Sequence, residues 1–371
     1  MIKRNAMGVV FANLSDEMMH ELTEVRSLGS IPFGCRYRIV DFTLSNLVNA
    51  DISNIGILTK ENYRSLMDHI GSGKPWDLDR KHSGIFILPP FSLTGSGMNI
   101  GHIDALYGVL DFIKDSKENF VVLYDADVLC NIDINDMLER HISSGADITI
   151  AYKNGSLPQN NRDIMAFTFD DSRVDSIRLS DKAGEICDYS LDIMIMERQK
   201  LIDLITAATE RNYTSLSRHI LQPNVDKIKI YGYEVKEYAV VMDSTKTYFK
   251  ANMDLLDPEV RAQLFNPARP IYTKTRDSMP AKYGLESDVA NSLIADGCII
   301  EGTVRNSLIF RNVHIGKGAV VENCIIMQDG DIGDGAELRY VATDKEVSVS
   351  AGRTLAGAET YPLIIAKGTN V

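Results

Sequence analysis

The sequence predicts an α/β domain with a Rossmann-like, mainly parallel sheet, followed by a parallel β-helix. Two patterns carry this expectation. Over the first two-thirds of the 371 residues, short apolar strands alternate with amphipathic helices, the order of βαβ units whose parallel sheet is covered on both faces. From about Ser292 no helical period survives and aliphatic residues recur every six positions, as in a hexapeptide β-helix. The length allows two or three domains.

The strands of the first part read as Gly8–Ala12, Asn54–Thr59, Phe120–Tyr124, Ile148–Tyr152 and Ile228–Val235. Between and after them lie helices at Asp41–Asn49, Ile103–Ile113, Ile134–Ile142 and Ser244–Leu256. In the third of these, Ile134, Met137, Leu138, His141 and Ile142 share one face, and Asp133 can cap the N-terminus. In such sheets ligands sit at the carboxyl ends of the strands. Two prolines in Asn266–Pro270 remove donors and fix φ, so the helical domain ends there. The expected organisation is a domain over 1–265, a linker over 266–290 and a β-helix over 291–371.

In the β-helix the sixes run Ile294 to Ile300, then Ile309, Ile315, Val321 and Met327, then Ile332 to Leu338, with glycines such as Gly302, Gly316 and Gly333 at the corners. The slip in phase between Ile300 and Ile309 reads as an insertion in one coil. A β-sandwich of short strands is the alternative.

A net charge of −12 and a pI near 5.1 exclude a nucleic-acid binder held by broad phosphate neutralisation. Any anionic ligand must meet a local basic pocket. Five scattered cysteines form no C-x-x-C pair and read as reduced thiols. No signal-peptide core and no run of eighteen apolar residues is visible, so the expected location is cytoplasmic, away from membranes.

Motifs narrow the function. Ile31 to Asn46 (IPFGCRYRIVDFTLSN), His69 to Arg80 (HIGSGKPWDLDR) and Ile87 to Pro90 resemble the stretches that mark bacterial glucose-1-phosphate adenylyltransferases, the ADP-glucose pyrophosphorylases. Gly101 with Asp104-Ala105 is similar to the family GTADA motif, and Tyr248 with Ala251 to Leu255 to its YWxANMDLL motif. The resemblance spans nearly the whole chain. It implies a nucleotidyltransferase domain followed by a left-handed β-helix.

Departures from the family pattern fall on its chemistry. The family's glycine-rich phosphate loop, GGxGTRLxPLT, is replaced by Asn13–Thr23, in which Asp16, Glu17 and Glu21 would repel a triphosphate. The family lysine that follows falls at Leu28, with Gly29 in place of proline. By the resemblance, Asp127 is the first metal-binding aspartate, with Asp125 two residues earlier, while the second aspartate falls at Val241. Asp243, two residues on, would share its face if the strand extends and could substitute. No Glu-Lys-Pro segment is visible between Asp163 and Asp181. The sugar motif SMGIY has become Ser190 to Ile193, with Asp192 replacing a glycine. Gly101, Asp104, Ser190 and Asp192 are thus remnants of a nucleotide and sugar-phosphate pocket. Arg36, Arg38, Lys74 and Arg80 retain the motif-borne positive charge and are the candidates for an anionic effector.

The resemblance implies a regulatory, catalytically impaired subunit related to the family's non-catalytic side. Such a subunit needs no cofactor of its own, and Mg²⁺ at Asp127 matters only if activity is retained. Its expected partners are a catalytic paralogue in a mixed tetramer, further copies of itself and a phosphorylated metabolite effector. An active adenylyltransferase using Asp127 and Asp243 is one alternative. A hexapeptide acyltransferase is another, because such enzymes place a catalytic histidine between coils and His314 is the one histidine in the repeats.

Overall fold

The computed structural model describes residues 5–12, 19–59, 62–81, 83–88, 101–158, 164–180 and 182–371. Asp16, Glu17, the Pro89-Pro90 pair, Asp163 and Asp181 lie outside these.

The first domain is built on β1 (Ala6–Phe11), β2 (Asn54–Leu58), β3 (Gly84–Leu88) and β4 (Phe120–Asp125). They are joined by α1 (Ile39–Asn49), α2 (Arg64–Ile70), α3 (His102–Gly108) and α4 (Leu110–Asp115). The strands pair in the order β3-β2-β1-β4, all parallel, and every residue of β1 is buried. A strand buried on both faces must be apolar throughout, which is why AMGVVF shows no alternation. The chain fills one side of β1 with β2 and β3, then crosses to β4. The switch in direction therefore falls between the carboxyl ends of β1 and β4, where doubly wound sheets hold their ligands. The helix expected over Ile103–Ile113 is two helices, since α3 ends at Gly108 and α4 starts at Leu110.

Next come β5 (Val128–Cys130), α5 (Ile134–Ser144), β6 (Ile148–Ser156), β7 (Ile164–Asp170), β8 (Arg173–Ser180), β9 (Ile186–Glu197) and α6 (Arg198–Thr209). After them lie β10 (Ile230–Glu234), β11 (Ala239–Val241), α7 (Thr245–Asp254) and α8 (Pro258–Leu264). Asp133 caps α5, accepting from the Asp136 amide at 3.0 Å. The sheet continues from β4 through β9, β6, β10, β8 and β7. Here β9 runs antiparallel to both β4 and β6, and β7 and β8 form a hairpin, so the parallel half is joined to a largely antiparallel one. Short β5 and β11 pair separately, antiparallel, with Val241 opposite Val128.

Residues 265–281 cross the surface of α1, where the Tyr272 amide donates to Ser45 Oγ at 2.9 Å. The coils then begin at Lys282–Tyr283, inside the segment read as a linker. Three five-stranded parallel ladders form the walls, as in a left-handed hexapeptide β-helix. Most coils span 17 residues, as in Ile315 opposite Ile332 and Ile332 opposite Val349, whereas Ile300 faces Ile315 across only 15. The phase slip is therefore a shortening, not the insertion anticipated. It occurs at Gly302, where a Cβ would lie 2.4 Å from the Ala319 carbonyl, so only glycine permits so tight a corner.

Ile300, Val304, Ile309, Ile315 and Val321 fill the helix interior. On the outer face of one wall, Leu308, Phe310, Ile325 and Met327 are equally buried, against Phe42 of α1, Tyr248 and Phe249 of α7, and Leu255. This second apolar row makes the wall an inter-domain interface, so the β-helix is docked on the first domain along its side. All five cysteines are free.

Candidate functional site at the strand switch point

Phe11 and Asp125, the last residues of β1 and β4, stand opposite each other at the switch point. The Ala126 amide donates to the Phe11 carbonyl at 2.9 Å and fixes the loop toward Asp127. Above Phe11 lies His102, at the start of α3, its ring edge-on to the phenyl at 4.9 Å. His102 Nε2 is 3.2 and 3.4 Å from the two carboxylate oxygens of Asp125. An ionised carboxylate only accepts, so Nε2 carries the proton.

Asp127 and Asp243 are both nearly buried. The pairing of β5 with β11 brings them close in the fold, because the Met242 amide donates to the Asp127 carbonyl at 2.8 Å. Asp243 accepts from Ser244 Oγ at 3.0 Å, and its charge acts on Tyr189, whose hydroxyl is pushed up to about 12, chiefly by burial. Val241, at the position to which the resemblance assigns the second aspartate, is apolar and offers no ligand. Among the described residues no group of three His, Cys, Asp or Glu side chains is placed to hold a metal ion. Of the two positions to which the resemblance assigns a metal-binding aspartate, Asp127 is nearly buried and 241 is valine, so the residues present do not supply a two-aspartate metal site.

The pocket remnants are brought to the same end of the sheet with altered roles. Gly101 caps α3 and accepts no side chain, since a Cβ would lie 2.2 Å from the Thr214 carbonyl. Asp104 closes that cap, its carboxylate 3.4 Å from the Gly101 amide. Ser190 and Asp192 form a bulge in β9: Ser190 Oγ donates to Asp192 Oδ1 and accepts from the Asp192 amide, both at 2.9 Å. Asp192 has φ +51°, the left-handed conformation that suits the glycine of the family motif. Leu28 is buried in the inter-domain core.

The four basic candidates do not converge. Arg36, Lys74 and Arg80 are exposed, and Arg80 pairs with Asp77 at 2.6 Å. Arg38 turns inward, where its Nη1 donates to Ser65 at 2.8 Å and burial lowers its guanidinium to about 10. Sequence reasoning missed its neighbours. Arg26 pairs with Asp344 at 2.8 Å, and Lys345, half-buried beside Arg38, Arg26 and Arg276, is lowered to about 7, first by burial and then mainly by those cations. His314 sits on an outer wall with Nδ1 2.8 Å from Asp331 and Nε2 3.5 Å from Glu301, so both ring nitrogens face carboxylates.

Residues 15–161 match the nucleotidyl transferase family model, and 278–360 match the GlmU-like C-terminal hexapeptide model. The glycogen biosynthesis protein GlgD of Bacillus subtilis is 37% identical over 368 residues, covering 99% of this chain and 97% of that protein. The GlgD of Geobacillus stearothermophilus is 40% identical over 364 residues, 98% and 96% of the two chains. The chain belongs to the GlgD and glucose-1-phosphate adenylyltransferase family. A glucose-1-phosphate adenylyltransferase of Mycoplasma mobile is 31% identical over 327 residues, covering 87% of this chain and 86% of that enzyme.

Proposed function

We propose that this chain is a regulatory, catalytically impaired subunit that assembles in the cytoplasm with a catalytic glucose-1-phosphate adenylyltransferase paralogue and tunes ADP-glucose formation for glycogen synthesis. The observation that carries the reading is full-length similarity to GlgD combined with the acidic character of the described residues at the switch point. Asp125, Asp127, Asp192 and Asp243 gather there, Leu28 stands where the family has lysine, and His102 is spent on Asp125. Stabilising phosphoryl transfer demands preorganised positive charge around the reacting phosphates. No helix among the described residues is long and apolar enough to cross a membrane.

The docked β-helix supports a regulatory role, because its wall packs on the segment that leads from β1 to α1. Arg26, Arg38, Lys345 and Arg276 bring basic groups together at that junction, so the docking surface is sensitive to charge. A second reading, an adenylyltransferase active in its own right, is favoured by one observation only, the closeness of Asp243 to Asp127.

Sedimentation of this chain mixed with its catalytic paralogue tests the assembly. The proposal expects a species of four-chain mass containing both proteins. Two independent boundaries at the masses of the separate proteins would refute it.

A further inference from the structure

We propose that the Lys345 amine takes up carbon dioxide as a carbamate, at the seam where the β-helix docks on the first domain. Separate stretches of chain meet there. Arg26 comes from the turn after β1, Arg38 from the residue that precedes α1, Arg276 from the crossing segment 265–281, and Asp344 and Lys345 from the β-helix. Arg26 and Arg38 are buried and Arg276 is exposed, whereas Lys345 is half-buried, so its amine is open to a dissolved gas.

The polar groups around the amine are already engaged. Asp344 Oδ1 accepts from Arg26 at 2.8 Å and from the Lys345 backbone amide at 2.7 Å, and Arg38 donates to Ser65. Among the described residues, Lys345 Nζ has neither a hydrogen-bond acceptor nor an ion-pair partner. The charges that act on it are three guanidinium groups against one carboxylate, that of Asp344. An ammonium group here is repelled by its neighbours, whereas an anion is attracted by all three arginines. Burial and the same cations bring the amine down to about 7, which leaves much of it neutral near that pH. Farther round the seam, Asp41 and Asp68 act on Arg38, and Lys274 acts on His69, which burial holds below the usual histidine range.

The neutral amine attacks the carbon of carbon dioxide. An N–C bond forms, one C=O electron pair moves onto oxygen, and the nitrogen gives up one proton to water. The side chain thereby changes from a neutral amine to a singly charged anion, whose carboxylate oxygens are acceptors for arginine N–H groups.

This goes beyond the regulatory reading and needs no paralogue, so its failure would leave that reading untouched. The experiment equilibrates the full chain with isotopically labelled bicarbonate and carbon dioxide at about pH 7.5, traps carbamates by ethylation with an oxonium reagent and locates them by peptide mass spectrometry. An ordinary lysine has only about one amine in a thousand neutral at that pH. The proposal therefore expects Lys345 to carry at least about tenfold more label than any other lysine. Arg276→Gln, at an exposed position, should lower that label severalfold by removing one cation, and Lys345→Arg should abolish it while keeping a positive charge. The wild-type and Arg276→Gln chains decide the matter should Lys345→Arg fail to fold by circular dichroism. Label at Lys345 no greater than at exposed lysines would overturn the proposal. So would label that Arg276→Gln leaves unchanged.

Discussion

Arg26 and Asp344 lie 318 residues apart in sequence, yet they form a 2.8 Å ion pair in which both side chains are buried, tying the turn after β1 to the β-helix. Asp344 Oδ1 also accepts from the Lys345 amide at 2.7 Å, and its Oδ2 is buried without a hydrogen bond. Removing one member of a buried pair strands the other charge, which costs about 3–5 kcal/mol. Asp344→Ala should therefore lower the unfolding free energy by about that much in urea titration. A loss below about 1 kcal/mol would mean that Arg26 finds water or another acceptor.

Lys345 makes stability at the same junction depend on pH. Its folded value of about 7 is below the 10.5 of an ordinary lysine, mainly through burial and then through Arg38 and Arg26. A base whose folded pKa is depressed is destabilising where both states are protonated, and stability is gained as pH rises from about 7 toward the unfolded value. Lys345→Met should flatten this rise between pH 7 and 9 and melt at a higher temperature than the wild type at pH 6. Parallel melting curves for the two proteins across that range would show that Lys345 is solvated and charged throughout.

The two ends of the β-helix differ. The last coil is covered by the chain's own tail, with Ser348 bridged to Asn370 and the Ser350 amide donating to the Val371 carbonyl at 2.8 Å. The first coil ends in exposed Met279, Tyr283 and Leu285, the last fully solvent-accessible. Exposed apolar groups on an open strand edge favour pairing with another chain. Met279→Asp/Leu285→Asp should therefore shift the sedimenting mass of the isolated protein toward one chain at micromolar concentration. An unchanged mass would place self-association elsewhere.

Much of this architecture is legible in the sequence because burial imposes periods. The interior of the β-helix demands an aliphatic residue on each wall of each coil, so Ile300, Ile315 and Ile332 announce it. The coil length of 17 and the tight corner at Gly302 were harder to see, because a deletion and an insertion shift the phase alike. The antiparallel course of β9 was invisible for a similar reason: an apolar run such as Ile193–Met196 fits a buried strand of either direction. At the site, the sequence names Asp125, Asp127 and Asp243 but not the interactions that the fold gives them. His102 carried a signal, a histidine where GTADA has threonine, but only the fold shows that it reaches Asp125. Arg26 and Lys345 carried none, since their meeting depends on how the β-helix docks.

On the proposed reading the chain has little catalysis of its own and acts through a paralogue. Loss of a single oxyanion-type donor costs ~10²–10³ in rate, and several groups are replaced here at once, with effects that do not simply add. The most direct test is pyrophosphate release from ATP and glucose 1-phosphate by this chain alone, by the catalytic paralogue alone and by an equimolar mixture. The account predicts a rate for the isolated chain at least ~10²-fold below that of the paralogue, and a mixture whose rate differs from the sum of the two. Turnover by the isolated chain within about tenfold of the paralogue's, a gap of only about 1.4 kcal/mol in barrier, together with a strictly additive mixture, would contradict it.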